Sequence, residues 1–159
     1  MLADVFAKLD ARGLKLACAE SLTGGLLAST IVSQSGASKV FLGGVIAYDT
    51  NIKRTVLGVA ANLLDERGPV DPQVAIQMAL GVRRAFAEGN LTSEASIVGM
   101  ATTGVAGPDN QDGKPVGLVY LAIAGLGEPL VLELNLTGDR TAIRESAVSA
   151  ALEALSARL

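Results

Sequence analysis

Histidine is absent from the 159-residue sequence, and this absence excludes more chemistry than any other feature of the composition. Catalytic triads and dyads with an imidazole base cannot form, and most zinc sites lose their usual ligand. A hydrolytic site in this chain would have to take its base from lysine, tyrosine or a carboxylate. Cysteine occurs once, as Cys18 in an apolar run, so disulfides within the chain and thiolate metal clusters are also excluded.

Aromatic residues make up only 3% of the chain, and the formal net charge is −3. Domains that bind nucleic acid usually present a basic stripe with interleaved aromatics, so direct contact with nucleic acid is not expected. No uninterrupted apolar run reaches the ~18 residues that span a bilayer, and the N-terminal segment lacks the basic start of a signal peptide. We therefore expect a cytoplasmic protein with no membrane contact, built as one domain over residues 1–159.

Half of the residues are hydrophobic, and their patterns alternate between those typical of strands and those typical of helices. Two late strands flank a glycine-rich turn at Gly125–Gly127, which indicates a hairpin. Together these patterns predict an α/β fold, a three-layer α/β/α sandwich with a mixed, mostly parallel sheet. The expected strands are residues 14–19, 40–48, 97–102, 117–124 and 129–136, and the expected helices are residues 2–12, 23–35, 51–57, 71–89 and 139–159.

The turn after the first expected strand contains Ser21, followed closely by Gly24 and Gly25. We expect both glycines in the first helical turn, where each costs about 1 kcal/mol relative to alanine, so folding alone would not favour them. Their free N–H groups could bind a ligand or stabilise the oxyanion formed when the Ser21 hydroxyl attacks a carbonyl. The alternative is that Ser21 or Thr23 only caps the helix.

Lys53 lies about one turn into a short helix that follows the strand ending at Tyr48. In a chain without histidine, a partly buried lysine is the natural base for a serine, because burial lowers the lysine pKa towards neutrality. Tyr48 would orient this lysine or pass on its proton. The alternative is an ordinary exposed lysine on a surface helix.

A long loop and a pair of arginines are candidates for binding an anion. The loop begins with Thr103-Gly104-Val105-Ala106-Gly107-Pro108, and its backbone N–H groups could cradle a phosphate or a planar base, unless it is a plain surface loop. Arg140 and Arg144 share one face in the first turns of the last expected helix. Each cation there interacts unfavourably with the positive end of the helix dipole, at a cost of about 0.3–1 kcal/mol, and a bound anion would offset that cost. Asp139 and Glu145 could neutralise them instead.

Five segments carry motifs whose order and spacing are together more specific than any one of them. The segments are Ala19-Glu20-Ser21-Leu22-Thr23-Gly24-Gly25, Phe41-Leu42-Gly43-Gly44-Val45-Ile46-Ala47-Tyr48, Lys53 with Leu57-Gly58-Val59, Thr103-Gly104-Val105-Ala106-Gly107-Pro108, and Lys114-Pro115-Val116-Gly117-Leu118-Val119-Tyr120. In this combination the chain resembles the CinA C-terminal domain family, from about residue 3 to its end.

The resemblance implies a nicotinamide-nucleotide amidohydrolase, an enzyme that converts nicotinamide mononucleotide and water to nicotinate mononucleotide and ammonia. It implies Ser21 as the nucleophile, Lys53 as the general base and Tyr48 as its assistant, with no cofactor and no metal. The residues expected to bind substrate are Thr23, Gly24 and Gly25, whose N–H groups would hold the oxyanion, and Thr103, Gly104, Gly107, Arg140 and Arg144, which would receive the ribose phosphate.

The sequence departs from the family pattern within the expected site. Leu22 stands where a cysteine often follows the serine, and the usual Gly-Pro-Gly-Gly loop reads Gly107-Pro108-Asp109-Asn110 here, which adds acidic charge near the expected phosphate site. Longer family members carry a further hydrolase domain, so we expect this chain to act as a stand-alone amidase. We also expect a homo-oligomer, with a dimer as the simplest form.

Three other functions remain open from the sequence. A non-catalytic nucleotide-binding module would keep the serine and lysine without turnover. An amidase for another small carboxamide would act equally well on compounds without a phosphate. The family name also suggests an association with competence or DNA, which the acidic charge balance argues against and which salt-sensitive DNA binding would support.

Overall fold

The computed structural model describes all residues from Met1 to Leu159 and contains a five-stranded sheet with helices on both faces. None of its helices combines the length and the apolar composition needed to cross a bilayer. The strands are β1 Lys15–Glu20, β2 Phe41–Ile46, β3 Ile97–Gly104, β4 Leu118–Ala124 and β5 Leu130–Asn135. The helices are α1 Leu2–Ala11, α2 Leu26–Ser33, α3 Thr50–Thr55, α4 Ala61–Arg67, α5 Pro72–Asn90 and α6 Arg140–Arg158, with short 3-10 turns at Ala37–Lys39 and Glu94–Ser96.

The strand order is β2-β1-β3-β4-β5, and the sheet is mixed as predicted. The pairs β1–β2 and β1–β3 are parallel, whereas β4 runs antiparallel to both β3 and β5. Four of the five strands therefore point the same way, although only two of the four pairings are parallel. The chain leaves β1 for β2 on one side and later adds β3 on the other, and α/β sheets bind ligands beyond the carboxyl ends of the strands at such a point.

The two faces of the sheet hold separate cores, which confirms the predicted three-layer sandwich. On one face α5 packs through Val74, Met78 and Val82, which recur every four residues and are fully buried. On the other face α6 buries Ala151 and Leu155 and packs beside α1 and α2. On each helix these buried residues lie on one face, at the spacing of an amphipathic helix.

Two helices differ from the prediction. Helix α2 begins at Leu26 rather than near Thr23, because Gly24 and Gly25 have φ values of +57° and +94°, a left-handed conformation that does not continue a right-handed helix. The sequence pattern does not indicate α4. Its N-cap, Ala60, offers no side-chain acceptor, so the usual signal for a helix start is missing.

Candidate active site

Ser21 lies in a tight turn between the end of β1 and the start of α2. Its N–H donates to the carbonyl of Thr102 at 2.9 Å, which extends the pairing of β1 with β3 by one residue. Its carbonyl accepts from the N–H of Gly24 at 3.1 Å, which closes the turn. The left-handed conformation of Gly24 and Gly25 then redirects the chain into α2, so these two glycines shape the turn that presents Ser21.

Lys53 reaches Ser21 from α3, the short helix that follows β2. The carboxylate of Asp49 caps this helix by accepting from the N–H of Asn51 at 2.7 Å. The Lys53 side chain is only 1% exposed, and its Nζ donates to three oxygens. They are Ser21 Oγ at 2.9 Å, the Ala47 carbonyl at 2.7 Å and the Tyr48 carbonyl at 3.2 Å.

Burial changes the acidity of Lys53. Desolvation lowers the pKa of its ammonium group to about 8, and the negative charge of Asp49 partly opposes this effect. The neutral amine is therefore accessible near physiological pH, which an exposed lysine would not provide. The predicted serine–lysine pair is present as a direct hydrogen bond, and the alternative of an exposed surface lysine is wrong.

Ser21 and Lys53 open onto a cleft at the carboxyl ends of the parallel strands. Of the residues expected to bind substrate, Thr103, Gly104, Gly107 and Arg140 line this cleft, and so does Tyr48, the expected assistant of Lys53. No group of three or more acidic or cysteine side chains is placed to hold a metal ion. The remaining lining residues are Leu22, Pro69, Val70, Val105, Ala106, Asp109 and Gln111.

The expected contact between the Tyr48 phenol and Lys53 is absent. The Tyr48 side chain is 61% exposed, and its hydroxyl accepts from Arg140 Nη2 at 3.1 Å. Arg140 Nη1 donates to the carbonyl of Gly107 at 2.6 Å, so this arginine bridges two walls of the cleft. Tyr48 contacts Lys53 through its backbone carbonyl only, because its side chain points towards Arg140.

Thr103 and Gly104 belong to the end of β3 rather than to a loop, and with the segment that follows they form a wall of the cleft. Thr103 is buried, and its hydroxyl donates to the carbonyl of Pro69 at 2.7 Å. Farther along, the Asp112-Gly113 dipeptide has φ values of +49° and +74° in a two-residue turn closed by two backbone hydrogen bonds between Gln111 and Lys114. This small hairpin carries Asp109 and Gln111 to the rim of the cleft.

Four residues expected to bind substrate lie behind the cleft instead. The Thr23 hydroxyl is fully buried and pairs with the Thr102 hydroxyl at 2.8 Å. Arg144 donates to the carbonyls of Leu22 at 3.0 Å and Thr23 at 2.8 Å, so it supports the Ser21 turn. The N–H groups of Gly24 and Gly25 are occupied, because they donate to the Ser21 carbonyl and to a carboxylate oxygen of Glu20. None of these four residues lines the cleft, and the structure corrects the roles expected of Gly24, Gly25 and Arg144, which are bonded within the protein.

Sequence reasoning missed several residues of the site. Pro69 and Val70 gave no signal, because they reach the cleft through the packing of the segment before α5. The hairpin that presents Asp109 had a local signal in Asp112-Gly113, a dipeptide typical of two-residue turns. Glu20 was hidden in the strand, because nothing local shows that a strand-end carboxylate is buried.

The fold and the cleft define an α/β/α sandwich protein in which a serine and a buried lysine meet beyond the carboxyl ends of parallel strands. The model of the CinA C-terminal domain matches residues 1–159, and the chain belongs to this family.

Known relatives and solved structures agree with this assignment. A protein from Desulforamulus reducens that is named as a competence-damage inducible protein is 45% identical to this chain over 141 residues. The matched segment is 89% of this chain and 32% of that protein. The crystal structure of the competence/damage inducible protein CihA from Agrobacterium tumefaciens is similar with a TM-score of 0.87 and 36% identity, covering 99% of this chain and 92% of that one. The crystal structure of the competence damage-inducible protein A from Klebsiella pneumoniae is also similar, with a TM-score of 0.86 and 31% identity. The match covers 98% of this chain and 92% of that one. The chain spans about a third of the length of the curated relatives it matches.

Proposed function

We propose that this protein is a nicotinamide-nucleotide amidohydrolase, in which Ser21 attacks the carboxamide and Lys53 is the general base. The observation that carries the proposal is the 2.9 Å hydrogen bond between Lys53 Nζ and Ser21 Oγ at the base of a cleft. A serine hydroxyl is a weak nucleophile until a nearby base takes its proton. Lys53 meets that need because burial lowers its pKa to about 8.

The contacts of Lys53 favour transfer of the serine proton to its amine. The carbonyls of Ala47 and Tyr48 can each hold one N–H of the neutral amine. The third position of the nitrogen then points its lone pair at the Ser21 hydroxyl. The two carbonyls thereby orient the base, as a carboxylate orients the imidazole in a histidine-based triad.

Each step of the proposed reaction conserves atoms and protons. Ser21 Oγ bonds to the carboxamide carbon while its proton moves to Lys53 Nζ. The resulting ammonium donates that proton to the amide nitrogen, the C–N bond breaks, and ammonia leaves an acyl-serine ester. Water then attacks the ester carbon and gives a proton to Lys53. The ester C–O bond breaks, Ser21 Oγ regains the proton, and the product leaves as a carboxylic acid, which loses its proton to solvent to give the carboxylate.

Backbone N–H groups other than those of Gly24 and Gly25 are available for the oxyanion. Leu22, Ala106 and Gly107 line the cleft, and their N–H groups have no acceptor within the protein. Such groups stabilise a tetrahedral intermediate when they point at its oxygen. We assign the oxyanion site to this set, with the Leu22 N–H adjoining the nucleophile.

The choice of a phosphorylated substrate is supported by Arg140 and by the family resemblance. Arg140 and Lys53 are the two cationic side chains that line the cleft, and Lys53 is already bonded to Ser21. Arg140 is therefore the group for the ribose phosphate, since a guanidinium matches the geometry of phosphate oxygens. A non-catalytic binding module is less well supported, because burying Lys53 costs folding free energy that binding alone does not require.

Ammonia release from three related carboxamides tests this substrate assignment. We expect kcat/KM for nicotinamide mononucleotide to exceed that for nicotinamide riboside by about tenfold or more, because a charge-assisted contact with Arg140 contributes about 1.5–3 kcal/mol. Nicotinamide itself should react more slowly still. The Arg140→Met variant should lose most of the preference for the phosphorylated compound. Equal turnover of nucleotide and riboside would contradict the assignment, and tight binding without ammonia release would support a binding module.

A further inference from the structure

Glu20 is a buried carboxylate beside the nucleophile that the proposed reaction does not use. It is the last residue of β1 and immediately precedes Ser21, and its side chain is 1% exposed. A buried charge is costly unless its surroundings provide hydrogen bonds or a counter-charge. No cation pairs with Glu20, so its hydrogen bonds show what the group does.

The Glu20 carboxylate binds the amino-terminal end of α2. Its Oε2 accepts from the N–H groups of Gly25 and Leu27, both at 3.0 Å, and its Oε1 accepts from the N–H of Ala28 at 2.8 Å. The Cys18 thiol, 3.7 Å from Oε1, is a weak fourth donor. The first N–H groups of a helix lack intrahelical partners, and the N-cap Gly25 has no side chain to accept from them. Glu20 performs that task from the preceding strand.

These bonds join the two ends of the turn that carries Ser21. The turn leaves β1 at Glu20 and enters α2 at Leu26, so a carboxylate at its start is bonded to N–H groups at its end. Arg144 supports the outer side of the same turn through the carbonyl of Leu22. The serine hydroxyl is thus carried by a closed segment with little freedom to move away from its base.

We propose that Glu20 is a positioning residue that holds the Ser21 hydroxyl within hydrogen-bond reach of Lys53. This inference rests on the proposed function, because it takes Ser21 as the nucleophile. A displacement of about 1 Å in a reacting group can lower a rate about a hundredfold. The loss of one bond between Glu20 and α2 therefore lowers the reactivity of Ser21, although no group that touches the substrate has changed. The same bonds neutralise the positive end of α2, so this helix end does not serve as the anion site.

Labelling of Ser21 by a fluorophosphonate tests this inference without any nucleotide. The Glu20→Gln variant replaces one acceptor oxygen by an NH₂ group, which faces a backbone N–H and cannot accept from it. We expect the labelling rate constant and kcat each to fall about tenfold, with KM within about twofold of the wild-type value. The matched control is Ile31→Ala, which removes a buried side chain of α2 away from its amino-terminal end. It should lower the melting temperature and leave the labelling rate of the folded protein unchanged.

The outcomes separate this inference from the proposed function. A wild-type protein that is labelled at Ser21, together with a Glu20→Gln variant labelled at the same rate, overturns the role of Glu20 alone. A folded wild-type protein that does not react at Ser21 overturns the proposed nucleophile and this inference with it. If Glu20→Gln does not fold, Glu20→Asp keeps the charge but shortens the side chain by one methylene. Its labelling should also be slowed, and a wild-type rate would again overturn the inference.

Discussion

At the scale of single residues, the surroundings of Lys53, the proposed base, set the acidity of its ammonium group. Burial favours its neutral form, whereas the negative charge of Asp49 favours the ammonium form. The balance places the pKa at about 8. About one molecule in ten then carries the neutral amine at pH 7, so kcat/KM should rise with pH up to about 8 and level off above it.

The Asp49→Asn variant tests this balance. Asparagine caps a helix as well as aspartate does, so α3 should keep its place, while the loss of the negative charge lowers the pKa of Lys53. The rising limb of the pH profile of kcat/KM should move to lower pH, and activity at pH 7 should increase about twofold. The control is Asp65→Asn, because the carboxylate of Asp65 lies near Asp49 but does not affect the pKa of Lys53. If the rising part of the pH profile of kcat/KM did not move in Asp49→Asn, the result would contradict Lys53 as the base.

A second residue-scale prediction concerns the acidic charge in the altered loop. Asp109 lines the cleft with Arg140, whereas Asp112 lies at the hairpin tip near Gly68 and does not line it. Asp109→Asn should lower KM for nicotinamide mononucleotide about two- to threefold, because one repulsion with the phosphate is removed. Asp112→Asn should leave KM unchanged. Steady-state kinetics at low ionic strength make the comparison, and an unchanged or higher KM in Asp109→Asn would count against phosphate binding beside this loop.

At the scale of elements, the position of α3 depends on a close approach by α5. A Cβ atom at Gly81 of α5 would lie 1.9 Å from the carbonyl oxygen of Leu57, just beyond the end of α3. The same segment is tied to α3 by the hydrogen bond from the N–H of Val59 to the carbonyl of Lys53 at 3.0 Å. A glycine in the middle of α5 therefore allows the segment that follows α3, the helix that carries Lys53, to lie against α5.

Two glycine substitutions in α5 should have opposite effects on stability. Gly81→Ala should lower the free energy of unfolding by about 1–3 kcal/mol or more, because the added methyl group collides with backbone that cannot easily move. It should also reduce activity by displacing α3. Gly89→Ala, where nothing lies within 4 Å of the new methyl group, should raise the free energy of unfolding by about 0.5–1 kcal/mol. Urea denaturation measures both, and equal effects would contradict the close contact.

Local signals predict most of the elements, and the exceptions have tertiary causes. The Asp71-Pro72 start of α5 and the four-residue spacing of Val74, Met78 and Val82 are properties of the sequence alone. The start of α2 cannot be predicted from local sequence. The left-handed glycines before it belong to a turn that is held by the contact between Glu20 and the first N–H groups of α2. Helix α4 also lacks a local signal, since no side chain caps it.

At the scale of the whole molecule, the sheet brings together groups that are far apart in the sequence. Ser21 follows β1, Lys53 follows β2, Thr103 and Gly104 end β3, and Arg140 follows β5. These four strands point the same way, so their carboxyl ends share one edge. The strand pattern could therefore predict which segments meet there. The strand pattern could not predict that Arg144 bonds to the Leu22 carbonyl in the turn that carries Ser21, because the packing of α6 sets the direction of this side chain.

The most direct measurement of the central claim is ammonia release from nicotinamide mononucleotide by the purified protein, with no added metal, beside Ser21→Ala and Lys53→Met. We predict that the wild-type protein releases ammonia and nicotinate mononucleotide in equal amounts. Both variants should remain folded by circular dichroism and lose about a thousandfold or more of the rate, because the nucleophile and its base act as a unit. A folded Ser21→Ala protein that still releases ammonia within about tenfold of the wild-type rate would contradict the serine–lysine mechanism.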